Sequence, residues 1–309
     1  MVEIKDNRDL LKTKLHGIFI PVALLLIGPG IMGLQYIKYG AMLAIVLCSI
    51  NFYEAWQRGK TIDSVKWRDL ELIDKTIVSK NTAIYRFKLI HDDEILDIPT
   101  GHHLACTFNI DGKDEIRYYS PISNKYDAGF FDILVKSYPN GKVSKRFAMM
   151  KEGEGQTVKF RGPVGRLQYE TNMANEIGLI AGGSGITPIL QVITRIITTP
   201  EDNTKLSLIF ANDTENDILL KEEIDQITEK YPNLSVHYTL VDPPANWKGE
   251  VGYVSKEMIQ KYLPKPIGDN RLFICGPPEM KRSLIDITQE LGWPATTMKS
   301  DPQDKVFCF

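Results

Sequence analysis

The chain has 309 residues, long enough for two globular domains and an appendage. With 43% apolar and 25% charged residues it has an ordinary globular composition, and its net charge of −2 excludes a bulk nucleic-acid binder. The four cysteines, Cys48, Cys106, Cys275 and Cys308, have no paired spacing, so no metal site or disulfide framework follows, and a reducing compartment suits the soluble part.

The N-terminal segment differs in kind from the rest. Gly17 to Leu34 is an almost uncharged apolar run of 18 residues, and Gly40 to Trp56 is a second, interrupted late by Asn51 and Glu54. Spanning a bilayer takes about 17–25 residues, so both runs lie near the short end. A signal peptide fits poorly, because no small-residue cleavage site follows and a second apolar run comes next. The expected arrangement is a tail over 1–16, a two-helix membrane anchor over 17–56 joined by Gln35 to Tyr39, and a linker over 57–66. Gly28-Pro29-Gly30 would kink the first helix or make it re-entrant. Lys5, Arg8, Lys12 and Lys14 precede the hairpin and Arg58 and Lys60 follow it, while the loop carries only Lys38. The positive-inside rule then puts both ends and the catalytic portion in the cytosol, at the endoplasmic reticulum or the plasma membrane.

From Trp67 to Tyr169 the pattern is β-rich. Leu70–Ser79 and Ala83–Ile90 flank a turn at Lys80-Asn81-Thr82, and His103–Ile110 and Asp114–Tyr119 flank the hairpin signal Asp111-Gly112-Lys113. Phe130–Tyr138 is a further strand, Val143–Lys151 a short helix, and Gln156–Arg161 a last strand before Gly162-Pro163. Short antiparallel strands with tight turns predict a small barrel over 67–169.

Past the junction at 170–175 the period changes. Strands at Ile177–Ala181, Lys205–Ala211, Leu234–Leu240 and Arg271–Cys275 alternate with helices ending near Thr198 and at Asp217–Tyr231, Ser255–Leu263 and Pro278–Leu291. That alternation predicts a doubly wound parallel sheet over 170–309. Val306–Phe309 reads as a buried terminal strand.

Three stretches carry chemistry. Ile116 to Ser123 is I-R-Y-Y-S-P-I-S, with Arg117, Tyr118, Tyr119, Ser120 and Pro121 at a strand end. A guanidinium can pair a pyrophosphate bidentately, an aromatic can pack on a ring system, and a hydroxyl can bond a ring nitrogen. Gly182-Gly183-Ser184-Gly185-Ile186-Thr187-Pro188 follows the first strand of the parallel sheet, where glycines admit a phosphate and a helix N-terminus favours its charge. This run is neither G-x-G-x-x-G nor a P-loop. Cys275-Gly276-Pro277-Pro278-Glu279-Met280 stands at the carboxyl end of a later strand, where such sheets bind ligands.

In this order, R-x-Y-S-P-x-S, G-G-S-G-I-T-P and C-G-P-P-x-M resemble the ferredoxin-reductase-like flavoenzymes, and within them the NADH–cytochrome b5 reductase family. The likeness runs from Trp67 to Phe309. The N-terminal L-H-G-I-F-I-P-V-A-L and R-Y-Y-S-P-I-S look most like a fungal branch of plasma-membrane-associated coenzyme Q reductases. The resemblance implies an FAD-binding barrel, an NADH-binding α/β domain, and hydride transfer from NADH C4 to flavin N5. Electrons would then leave singly to cytochrome b5 or as a pair to a quinone such as coenzyme Q. Rival readings on this scaffold are a ferric-chelate or quinone-only reductase, or a non-enzymatic membrane scaffold.

Residue roles follow from the resemblance. Arg117 would pair the FAD pyrophosphate, Tyr119 would line the flavin, and Ser120, where the family usually has Thr, would hydrogen-bond near N5. Val135, Lys136 and Tyr138 match the strand beside FAD, with backbone mattering more than side chains. Gly141-Lys142-Val143-Ser144 matches the family's G-K-M-S, where a helix N-terminus meets the pyrophosphate. His103 in G-H-H-L would relay a proton with Ser120; His102 replaces the usual Gln and carries no assigned role. Gly182, Gly183, Ser184, Gly185 and Pro188 would bind the dinucleotide, with Thr187 between the two cofactors. Cys275, followed by Gly276, Pro277, Pro278 and Met280, would lie by the nicotinamide and shape its approach, not act as a nucleophile. The acid usual after the third α/β strand is replaced by Val241, with Asp242 one residue on, so NADH is favoured and its selectivity is open. From Lys136 to Arg166 eight Lys or Arg face only Glu152 and Glu154, a basic stretch suited to steering an acidic partner.

Overall fold

The computed structural model describes residues 20–33, 36–57, 60–123 and 126–309. The chain divides into a unit over Met1–Lys60 and a second unit over Thr61–Phe309. The expected tail over 1–16, the start of the first apolar run at Gly17, the loop residue Gln35 and the flanking Arg58 lie outside the described residues.

The first unit holds helix α1 (Ile20–Met32) and helix α2 (Ile37–Gln57). The backbone of α1 stays helical through Gly28-Pro29-Gly30, and the helix is followed by Gly33 at φ 141°. Among the described residues no helix is long and apolar enough to cross a membrane. The 13 residues of α1 rise about 20 Å against a hydrocarbon core of about 30 Å. The 21 residues of α2 suffice in length, but Asn51, Glu54 and Gln57 make its last third polar.

The second unit begins with six antiparallel strands, β1 (Arg68–Ser79), β2 (Thr82–Lys88), β3 (His103–Ile110), β4 (Lys113–Tyr119), β5 (Phe130–Lys136) and β6 (Thr157–Val164). Their order is β4-β3-β6-β1-β2-β5. Asp111 and Gly112 at φ 52° and 77° make the hairpin that the Asp-Gly pair predicts. Past the end of β4 the chain meets edge strand β5 through the bridge Pro121 to Ile133, followed by the Ile122 N–H donating to Asp132 O at 2.9 Å. Strand β6 runs through Gly162-Pro163, where a break was expected. A register shift against β3 between His103 and Ala105 absorbs the residue that cannot donate. Inward positions place Phe87, Phe131 and Phe160 in mutual contact at 4.7–5.7 Å. Helix α3 (Lys142–Met149) seals this core with Val143 and Phe147.

The α/β half contains β7 (Glu176–Gly182), β8 (Lys205–Asn212), β9 (Leu234–Leu240), β10 (Glu250–Val251), β11 (Arg271–Cys275) and β12 (Val306–Cys308), all parallel in the order β10-β9-β8-β7-β11-β12. Ile177 to Gly182 is buried throughout, as a strand covered on both faces must be. The helices are α4 (Ile186–Ile197), α5 (Lys221–Lys230), α6 (Lys256–Tyr262) and α7 (Pro278–Glu290). Helix α5 starts four residues later than the expected Asp217. Thr214 and Asp217 instead close a short 3₁₀ turn over Glu215–Asp217 as a capping box. The chain then bends through Leu220 at φ 54° to bury Ile218 and Leu219. Chain direction across the sheet reverses between β7 and β11, the crevice where open α/β sheets bind ligands.

Candidate active site

A cleft of about 1000 Å³ opens between the barrel and the carboxyl ends of the parallel strands. The barrel contributes His103, Tyr118, Tyr119, Ser120, Lys136 and Tyr138, and the α/β half contributes Gly182–Gly185, Thr187, Pro188 and Cys275–Met280. The three motifs, far apart in sequence, thus face one space.

Glycine makes this convergence possible on the α/β side. A Cβ on Gly185 would stand 2.5 Å from the Cys275 carbonyl oxygen, and one on Gly182 would stand 2.4 Å from Met280 Sδ. The loop after β7 therefore lies directly against the segment after β11. Gly183 has φ 52° and open space above its Cα, leaving room for a ligand. Thr187 is buried at the start of α4, its hydroxyl donating to Ser184 O at 3.2 Å. Cys275 lines the cleft as a neutral thiol, since burial pushes it up to about 12.

On the barrel side the ladder pairs Leu104 with Tyr119, so His103 and Ser120 come next to each other at the open end of β3 and β4. Burial, reinforced by His102 and Arg166, holds the His103 imidazole down to about 4, so it is neutral near pH 7. Its ring meets Tyr118 edge-on at 5.0 Å. Tyr119 packs edge-on against Phe147 at 5.4 Å, and burial raises its phenol. His102 does not line the cleft, and its Nε2 donates to Leu167 O at 3.1 Å.

Arg117, Lys142 and the start of α3 form a second cluster on the barrel. The Arg117 guanidinium lies 3.5 Å from Glu115 and donates to Ile116 O at 2.7 Å, while Lys142 Nζ meets Glu115 at 2.5 Å. Among the described residues no side chain caps the N-terminus of α3, and a Cβ on Gly141 would strike Ser144 Oγ at 2.1 Å. Two cations, free helix amides and a glycine-lined approach fit a pyrophosphate, so the barrel suits the tail of FAD and the cleft suits its ring system. Val135 and Val143 point into the barrel core, so only their backbones are available to a cofactor, while Pro121 is buried behind Ser120.

Several cleft residues escaped sequence reasoning. Asn212 and Asp213 line the wall at the end of β8; of the two positions named after β9, Val241 lines it too, whereas Asp242 does not. Phe309 packs on the core at Phe273 and Phe307, as expected, and also lines the cleft, while its main-chain oxygen accepts from Lys281 Nζ at 2.7 Å. Lys136 ion-pairs with Asp217 at 2.7 Å, linking the barrel to the α/β half. Gln191 on α4 adds a second link: its Nε2 donates to Pro121 O at 2.9 Å and its Oε1 accepts from the Gly101 N–H at 3.1 Å. Among the described residues no His, Cys, Asp and Glu group could hold a metal.

Comparison with known proteins agrees with this geometry. Residues 69–169 match the oxidoreductase FAD-binding domain and residues 179–285 the oxidoreductase NAD-binding domain. The chain is 47% identical over 308 residues to a plasma membrane-associated coenzyme Q6 reductase of Saccharomyces cerevisiae, covering 98% of each. It is 42% identical to an NADH-cytochrome b5 reductase 1 of Coccidioides immitis, covering 96% of this chain and 98% of the relative. The crystal structure of the cytochrome b5 reductase domain of Ulva prolifera nitrate reductase superposes with a TM-score of 0.73 at 28% identity, covering 81% of this chain and all of that one. The chain belongs to the NADH–cytochrome b5 reductase family of FAD- and NADH-dependent oxidoreductases.

Proposed function

We propose that this reductase is held at a membrane by its N-terminal helices, faces the cytosol, and delivers electrons from NADH to cytochrome b5. The observation that carries the acceptor is the basic face on and beside α3. Lys145 and Arg146 are exposed and have no carboxylate partner among the described residues, on the helix that starts beside the Arg117–Lys142 cluster. Such a face raises the encounter rate with an acidic haem protein. A quinone is the second reading, favoured by the 47% identity to a protein named for coenzyme Q6.

When bound, FAD supplies the exchange between a two-electron donor and a one-electron acceptor. The residues supply placement. Arg117, Lys142 and the α3 amides would hold its pyrophosphate, and the Ser120 hydroxyl would donate toward the ring. Neutral His103, beside Ser120, would accept or return a proton at that hydroxyl. Gly182–Gly185 and Thr187 would carry the dinucleotide, and Cys275 would set the approach of its nicotinamide while staying protonated. The domain boundaries that follow are an anchor over 17–56, an FAD domain over 67–169 and an NADH domain over 170–309.

The test is to reduce the purified protein anaerobically with NADH and mix it with oxidised cytochrome b5 or a short-chain quinone over a salt series. Fast haem reduction that slows steeply with salt is expected. Salt-independent reoxidation by quinone alone would transfer the proposal to the second reading.

A further inference from the structure

Nicotinamide cofactors differ at the 2′ position of the adenosine ribose, and the family's usual acid at the end of β9 is absent here. We propose that Asp213, at the end of β8 beside buried Asn212, is the residue that selects NADH over NADPH in this chain. The proposal rests on the family's use of NADH. Val241 occupies the cleft wall where the acid was expected, 39% exposed, while Asp242 is not part of the lining. Asp213 is exposed and lines the cleft.

Backbone pairing explains this transfer from one strand to its neighbour. The Val241 N–H donates to Asn212 O at 3.1 Å and the Asp242 N–H to Asp213 O at 2.8 Å. The two segments therefore run side by side past the end of the sheet, and an acid on either strand can reach the same ribose. Asn212 points to a ligand there independently. It is 7% exposed, it lines the cleft, and both its amide oxygen and nitrogen lack a hydrogen-bond partner among the described residues. Folded proteins pair nearly all such groups. A ribose hydroxyl, which both donates and accepts, matches an amide with both functions free.

The sheet order places this end correctly. Strand β8 lies two positions from β11, about 10 Å away at ordinary strand spacing, with the glycine loop of β7 between them. A nicotinamide at Cys275 and a pyrophosphate over Gly182–Gly185 leave the adenosine ribose at β8. A 2′-phosphate there would meet the Asp213 carboxylate. The one Lys or Arg among the described lining residues, Lys136, stands on the barrel and is already paired with Asp217. Such a phosphate gains a repulsion and no cation.

The experiment compares NADH, NADPH and reduced nicotinamide mononucleotide, which lacks the adenosine half, as electron donors to the FAD-loaded full chain. Asp213→Asn is expected to lower the NADH-to-NADPH ratio of kcat/KM by about tenfold or more, through a lower KM for NADPH. Asp242→Asn is expected to leave that ratio unchanged. Asn212→Ser should raise KM for NADH and leave the mononucleotide rate as it was. An unchanged ratio in Asp213→Asn, or a shifted one in Asp242→Asn, would overturn the proposal. A parent chain whose flavin is reduced by neither dinucleotide would overturn the NADH reading and the proposal with it.

Discussion

Gln191 offers the sharpest test of how the two halves of the cleft are held in register. It is the one side chain of α4 seen to bond both Gly101, two residues before His103, and Pro121, directly after Ser120. Gln191→Leu keeps the volume and the helix while removing donor and acceptor together. Gly101 and Pro121 are both buried, so the N–H of one and the carbonyl of the other lose their partner out of reach of bulk water. Each unpaired buried group costs about 1–3 kcal/mol, and partial relaxation leaves a net loss of roughly 2–4 kcal/mol. The loss should appear as a lower denaturant midpoint with an unchanged slope. It should also appear as slower flavin reduction at saturating NADH, because the strand ends carrying His103 and Ser120 are no longer tied to the helix that opens at Thr187. Thr194→Leu on the exposed side of the same helix is the control. A Gln191→Leu protein within about 0.5 kcal/mol of the parent, reduced at the parent's rate, would refute the clamp.

Three further outcomes follow from the same geometry. Gly185→Ala puts a methyl 2.5 Å from a backbone oxygen that no side-chain rotation can move, so it should cost about 1–3 kcal/mol and raise the Kd for NAD+ in equilibrium titration. His103 titrates at about 4 in the folded protein against 6.5 in the unfolded chain. The unfolded state therefore binds the proton first, and stability falls as pH drops from 6.5 toward 4. Urea unfolding of His103→Gln across that window should show a shallower decline. Lys136→Met breaks an ion pair whose side chains are only 9% and 23% exposed. It should destabilise by about 1–3 kcal/mol, between the surface and buried limits. A double-mutant cycle with Asp217→Asn would measure the coupling, and a coupling near zero would remove the pair as a link between the halves.

What was legible in the sequence is what local rules control. Strand alternation, the Asp111-Gly112 turn and the switch from period two to alternating strands and helices placed nearly every element within a few residues. The motifs marked the cleft because each needs a residue type with a local reason: glycine where backbones touch, a hydroxyl at a strand end, a thiol between a strand and a Pro-started helix. The helix expected from Asp217 starts at Lys221 because Thr214 and Asp217 close a single 3₁₀ turn first. Ile218 and Leu219, between that turn and the helix, are buried. The apolar N-terminal runs were legible as helices. Their lengths and the polar end of α2 carry the difference between a helix and a spanning helix.

The residues that stayed hidden are those whose role exists only across the sheet. Position 241 was the place to look for an acid because the family usually carries one after this strand, and Asp242 was the nearest carboxylate in sequence. Successive side chains of an extended segment point to opposite sides, so one step along the chain, from Val241 to Asp242, is enough to leave the cleft. One step sideways, from β9 to β8, stays in it, because parallel strands bring equivalent ends side by side at about 4.8 Å. Asp213 is thus 28 positions or more away in sequence from the site it was missing from, yet hydrogen-bonded through its carbonyl to the very residue proposed in its place. The same reasoning applies to Gln191, a polar residue on a helix whose neighbours Val192 and Ile193 are buried. The packing of α4 against Gly101 and Pro121 gives its amide two partners. A functional acid or amide should therefore be sought along the line of strand ends, not along the chain.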